Sequence, residues 1–207
     1  MMRKNTLILF AKAPKICRVK TRMWPALSHR ECLYLHKRSI NHAINQFKDK
    51  FDLIFYSTQI SYYPIPIKMQ QGVNLGMRMF HAMQHELKKS ERVVLIGSDC
   101  LQIDEYYIDQ AFAALNDLND VVLGAANDGG YTLIGAKNII PQIFHNMQWS
   151  STNVLEKTLD NINQLGLKAK VLDSLIDVDT IEDLQTLKNI NALPSWAERL
   201  LKARPSV

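Results

Sequence analysis

Residues 6–11 (TLILFA) form a continuous, largely apolar run that ends at Lys12, the pattern of a strand buried on both faces as in a parallel sheet. The runs at 51–57 (FDLIFYS) and 92–98 (RVVLIGS) repeat it, and a short strand is expected at 67–70, after the extended Pro64-Ile65-Pro66 segment. Helical spacing separates these runs. Leu33, Ile40, Ala43, Ile44 and Phe47 follow Ser28, which with Glu31 three residues on makes a capping box. Further helices are expected over 75–89, 103–115, 152–165, 180–190 and 194–203. Strands are expected over 120–125, 131–136 and 169–175, with Asn127-Asp128-Gly129-Gly130 as the turn between the first two. Alternation of strand and helix predicts an α/β fold: a mainly parallel, mixed sheet flanked by helices. Residues 1–207 carry no internal repeat, low-complexity tract or domain boundary and read as a single domain, below the size at which cores divide.

Composition narrows the class. Hydrophobic residues at 47% and charged residues at 22% suit a globular protein and exclude disordered, collagen-like and mucin-like chains. No apolar run approaches the ~20 residues of a membrane span, and the run after Arg3 and Lys4 stops at Lys12, too soon for a secretory signal, so a soluble cytoplasmic protein is expected. Cys17, Cys32 and Cys100 lack zinc-site spacing and are expected as thiols. Charge is uneven: residues 1–103 hold 17 Lys and Arg against 6 Asp and Glu, whereas 104–207 hold 8 against 14. The basic charge gathers in one short loop without interleaved aromatics, which argues against nucleic acid and for a small phosphorylated ligand.

That loop, residues 12–22, follows the first strand and brings Lys12, Lys15, Arg18, Lys20 and Arg22 together. Such a set can neutralise a di- or triphosphate through charge-assisted bonds; the same run also reads as a solvated surface loop. No Walker A loop and no GxGxxG after a strand is present. Ser98-Asp99 closes a buried strand at the carboxyl edge, where ligands of open α/β sheets bind, and an aspartate there can hold Mg²⁺ or Mn²⁺. Asp177 and Asp179 share one side of an extended segment and can complete such a site; Asp179 or Thr180 can equally cap the following helix. Asp128-Gly129-Gly130-Tyr131 is a hairpin turn or, with Asp128 as base, a substrate-approach loop. Trp149 packs under a ligand or in the core. His81 and His85 have zinc-compatible i, i+4 spacing without HExxH or an evident third ligand.

Six ordered blocks carry a family resemblance. They are Phe10-Ala11-Lys12-Ala13-Pro14 with Arg18-Val19-Lys20-Thr21-Arg22; Gln71-Gly72 with Leu75-Gly76 and Arg78-Met79; Gly97-Ser98-Asp99-Cys100; Asp128-Gly129-Gly130-Tyr131 with Leu133-Ile134-Gly135; Trp149-Ser150; and Asp177-Val178-Asp179-Thr180 with Glu182-Asp183-Leu184. Over nearly the whole chain these resemble DUF2064, a bacterial family of glycosyltransferase-like proteins related to the nucleotide-diphospho-sugar transferases (GT-A fold). The resemblance implies that Lys12, Arg18, Lys20 and Arg22 hold phosphates and that Gln71, Gly72 and Ser98 border the nucleotide. It makes Asp99 the primary metal ligand, with Asp177 or Asp179 opposite, and has Gly129, Gly130, Tyr131 and Trp149 line the pocket of the transferred group. The chain departs from the family where Ile16-Cys17 replaces Pro-Gly, Asn74 replaces Asp and Leu101 replaces Pro. Three functions follow as expectations: glycosyl transfer from a nucleotide sugar to a small-molecule acceptor with Mg²⁺ or Mn²⁺; nucleotidylyl transfer from a nucleoside triphosphate, guanylyltransferase-like; or nucleotide binding by a regulator without turnover.

Overall fold

The computed structural model describes residues 3–116 and 118–202. Seven strands, β1 (Arg3–Ala11), β2 (Leu53–Ser57), β3 (Ile67–Met69), β4 (Ser90–Gly97), β5 (Val121–Ala126), β6 (Tyr131–Ala136) and β7 (Ala169–Leu175), form one sheet in the order β3-β2-β1-β4-β6-β5-β7. Only β6 runs antiparallel, to both β4 and β5; the remaining pairings are parallel. The carboxyl ends of β1, β2 and β4 therefore open on one edge.

Helices α1 (His29–Phe47), α2 (Leu75–Leu87), α3 (Glu105–Ala114) and α4 (Val154–Gln164) cover the sheet. Strand alternation divides its two faces. Leu7 and Leu9 of β1 join Ile40, Ile44 and Phe47 of α1 with Ile108 and Phe112 of α3. Ile8 and Phe10 join Met79, Phe80 and Met83 of α2 with Ile162 of α4. A third apolar cluster positions the site. Val178 with Leu184 and Leu187 of α5 (Ile181–Asn189) and Leu200 of α6 (Ser195–Lys202) packs on Met23, Leu27 and Leu35. Burial of each such side chain is worth about 1.5–3 kcal/mol, so the acidic 177–179 segment is held firmly against the basic loop.

Boundaries move where local bonds override periodicity. Phe51 is not in β2: its amide bonds to the Phe47 carbonyl at 3.0 Å and its ring packs on Phe47 and Phe112. Asp104 caps α3 by accepting from Tyr107 N at 2.8 Å, which starts that helix at Glu105. The helix expected from residue 152 begins later, with Asn153 at the cap position and Val154 as the first residue of α4. Short 3₁₀ turns at Thr21–Met23 and Pro141–Phe144 escape the pattern altogether, and the expectation of helix to residue 203 ends outside the described residues. Among the described residues no helix is long and apolar enough to cross a membrane. Cys17 is exposed; Cys32 and Cys100 are buried; all three are thiols.

Candidate functional site

The basic loop leaves β1 and folds back over the sheet edge, with Ala13 N donating to Thr58 Oγ1 at 2.9 Å. Two of its residues, Cys17 (φ 59°) and Lys20 (φ 50°), are left-handed. At Cys17, where the motif resemblance leads to an expectation of glycine, the left-handed backbone costs a side-chain-bearing residue about 1–2 kcal/mol. The turn at Lys20 sends its side chain inward. Its ammonium lies 3.0 Å from Asp99 Oδ1 and 3.9 Å from Asp179 Oδ1, and donates to the Val178 carbonyl. Arg22 reaches Asp179 Oδ2 at 3.0 Å. Val178 N donates to the Asp99 carbonyl at 3.1 Å, which fixes the 177–179 segment to the end of β4. With Val178 buried, Asp177 and Asp179 both face the cleft.

The cleft has a volume of about 600 Å³. Of the residues expected there, Lys12, Arg18, Lys20, Arg22, Ser98, Asp99, Asp177, Asp179, Tyr131 and Trp149 line it. Gln71, Gly72, Asp128, Gly129 and Gly130 do not. Gln71 faces a separate cavity of about 340 Å³, and its carbonyl is 2.9 Å from His81 Nδ1. Gly72 (φ 139°) accepts at its carbonyl from Arg78 Nε at 3.0 Å. Asp128, the expected base, closes its own turn by accepting from Gly130 N at 3.0 Å. Gly129 (φ 87°) lies so close to α4 that a Cβ would stand 1.8 Å from the Thr152 carbonyl oxygen, and its own carbonyl accepts from Leu155 N at 2.9 Å.

Among the polar residues that line the cleft, sequence reasoning gave no role to His36, Gln70 and Arg78, and Asn74, read there as a departure from Asp, lines it too. Gln70 donates from its amide to the Ala11 and Tyr56 carbonyls at 2.9 and 3.0 Å. Asn74 caps α2 by accepting from Met77 N at 2.9 Å, a task Asn and Asp perform equally well. His36, on α1, has Nε2 2.9 Å from the Lys12 carbonyl oxygen. Arg78 sits in the motif Leu75-Gly76 with Arg78-Met79, the one signal that could have found it.

Burial, charge and hydrogen bonding pull on this cluster together. Burial alone would raise Asp99, but the Lys20 ammonium above all reverses it and holds the carboxyl well below the usual carboxylate range. Burial would lower Lys20, but Asp99, Asp177 and Asp179 keep it above its ordinary value. Asp177 makes no hydrogen bond or ion pair among the described residues. Burial and the charge of Asp99, with smaller help from Asp179 and Asp128, push it up to about 7 against the pull of Lys20. Burial likewise raises Asp179 despite Lys20. Three carboxylates thus share one buried ammonium and the exposed Arg22. An acidic pair short of positive charge and built of hard oxygen donors suits a divalent cation. Among the described residues no three His, Cys, Asp or Glu side chains close around one point. Asp99 and Asp177 could hold such an ion with water or phosphate oxygens in its other positions.

The comparisons with known proteins agree with this architecture. A family described as an uncharacterized protein conserved in bacteria (DUF2064) matches residues 59–151, and over that span the motif resemblance holds. No curated protein matches the chain. Among solved structures, a protein from Desulfovibrio desulfuricans G20 described as a candidate nucleotide-diphospho-sugar transferase superposes with a TM-score of 0.87 at 27% identity, over 97% of this chain and 95% of that one. A cytidylyltransferase from Leptospira borgpetersenii serovar Hardjo-bovis gives 0.58 at 14% identity, over 97% and 93%. The 4-diphosphocytidyl-2C-methyl-D-erythritol synthase of Anaerococcus prevotii DSM 20548 gives 0.57 at 13%, over 91% and 98%. The last two likenesses are of fold alone. The chain has the nucleotide-diphospho-sugar transferase fold, and transferase-type enzymes are among its structural neighbours.

Proposed function

We propose that the protein transfers a glycosyl group from a nucleotide-diphospho-sugar to a small-molecule acceptor, with Mg²⁺ or Mn²⁺ in the cleft. The observation that carries this reading is the meeting of the basic loop with Asp99, Asp177 and Asp179 in one cleft at the carboxyl edge of β1 and β4. Charge pairing divides the work within the loop. Lys20 and Arg22 are engaged by Asp99 and Asp179, so Lys12 and Arg18, which pair with no carboxylate among the described residues, are the cations free to grip phosphate oxygens. Arg78, anchored through Nε, offers its remaining N–H groups to the cleft. Tyr131 and Trp149 give the sugar a partly apolar wall. A divalent cation, when bound, would neutralise charge on the departing nucleoside diphosphate. Asp128, outside the lining, would serve its turn rather than the proton transfer.

Nucleotidylyl transfer is the second reading, favoured by Lys12, Arg18 and Arg78, which pair with no carboxylate among the described residues and suit a triphosphate and a phosphorylated acceptor. A thermal-shift panel with product analysis separates the two. Nucleotide sugars and nucleoside diphosphates that stabilise with Mn²⁺ and yield free nucleoside diphosphate support glycosyl transfer; triphosphates that stabilise with Mg²⁺ and yield pyrophosphate support the second. No stabilisation by any nucleotide would refute both. Asp99→Ala is expected to abolish the metal-dependent part of the shift; an unchanged shift removes Asp99 from the site.

A further inference from the structure

We propose that His36 is a nitrogen ligand to the divalent cation of this cleft, acting with Asp99, and that the site therefore discriminates against Mg²⁺ in favour of Mn²⁺ or Co²⁺. This rests on the metal-dependent reading above.

The imidazole is deeply buried, with a side chain 5% exposed. Its Nε2 lies 2.9 Å from the Lys12 carbonyl oxygen; a carbonyl only accepts, so Nε2 carries the hydrogen, and in the neutral ring Nδ1 is a bare lone pair. That Nδ1 is buried without a hydrogen-bond partner. It faces Asp99 Oδ1 at 3.8 Å, beyond hydrogen-bond reach. Two electron-rich atoms thus look at each other across a gap, a costly arrangement unless positive charge stands beside both.

The same Asp99 oxygen takes the Lys20 ammonium at 3.0 Å and Ser98 Oγ at 3.1 Å, which leaves Nδ1 without a hydrogen bond of its own. A shared metal ion answers this geometry. Two ligand atoms bonded to one cation at about 2.1 Å lie roughly 3–4 Å apart, a span that includes the observed separation. A ring N–H held by a backbone carbonyl is also how metal-binding histidines are oriented. Lys20 has somewhere to go, since it already faces Asp179 and the Val178 carbonyl. A nitrogen donor lowers the fit for Mg²⁺, which prefers oxygen, more than for Mn²⁺ or Co²⁺.

The test is Mn²⁺ binding to the nucleotide-free protein, followed by titration and by electron spin echo envelope modulation. Wild-type protein is expected to show imidazole ¹⁴N coupling to Mn²⁺. His36→Gln, checked for folding by circular dichroism, is expected to lose that coupling and to bind Mn²⁺ at least tenfold more weakly, with Mg²⁺ affinity changed less than threefold. The spectrum of the wild-type protein needs no variant, so a misfolded substitution leaves the test intact. Mn²⁺ bound without nitrogen coupling, coupling that persists in His36→Gln, or an unchanged Mn²⁺ to Mg²⁺ preference each overturns the proposal while the metal-dependent function stands. Failure of any divalent ion to bind overturns both.

Discussion

Two regions of the molecule bury a lysine–carboxylate pair, and they are built the opposite way round. In the cleft the cation is hidden: the Lys20 side chain is 2% exposed, while Asp99 and Asp179 are 30% and 34% exposed. Under β2 and β3 the acid is hidden. The Glu86 side chain is 1% exposed and takes hydrogen bonds at Oε1 from Lys68 Nζ at 2.5 Å and Tyr56 Oη at 2.6 Å, while Oε2 is buried without a hydrogen-bond partner; Lys68 is 31% exposed. Burial and Glu86 together push the Tyr56 hydroxyl well above its usual range, so it stays a donor. The member left in solvent decides what a pair can do. Outward carboxylates backed by one ammonium invite a second cation, whereas a sealed acid bonded to an outward lysine presents no carboxylate to solvent.

The comparison breaks most sharply at Lys20. Lys20→Met leaves Asp99, Asp177 and Asp179 clustered without their buried cation and is expected to cost about 3–5 kcal/mol in unfolding free energy. Added Mn²⁺ should then recover more melting temperature in this variant than in the parent; equal recovery in both would mean that the cluster does not attract ions. Asp177→Asn is expected to act in the other direction. Because its folded pKa of about 7 lies above the unfolded value of 3.8, Asp177 contributes stability that is complete below the unfolded value and is lost as pH rises through about 7. Removing it should therefore raise stability at pH 8 by about 1–3 kcal/mol and flatten the decline of melting temperature between pH 5 and 8 in metal-free buffer. The smallest effect belongs to the sealed pair. Tyr56→Phe is expected to cost about 1–2 kcal/mol in denaturant titration and to leave nucleotide and metal binding unchanged.

Much of the fold was written in local pattern. β7 falls on the expected residues, Ser28 and Glu31 form their capping box, and Thr180 with Asp183 forms another at the head of α5. These features depend on neighbours in the chain, so spacing exposes them. The site depends on contacts across it. Lys20 and Arg22 read as phosphate-gripping cations because nothing local shows that residues 157 and more positions away claim them. His36 escaped because a residue in mid-helix, with buried Cys32 and Ile40 one turn away on either side, has the periodicity of a core residue; only the packing of α1 under the basic loop brings it to Asp99. Asn74 looked like a lost charge until its place at the start of α2 made it a helix cap.

The close seating of Gly129 on Thr152 makes one side of the cleft an anvil. With no room there for even a methyl group, the hairpin tip and the head of α4 travel as a single block and carry Tyr131 with them.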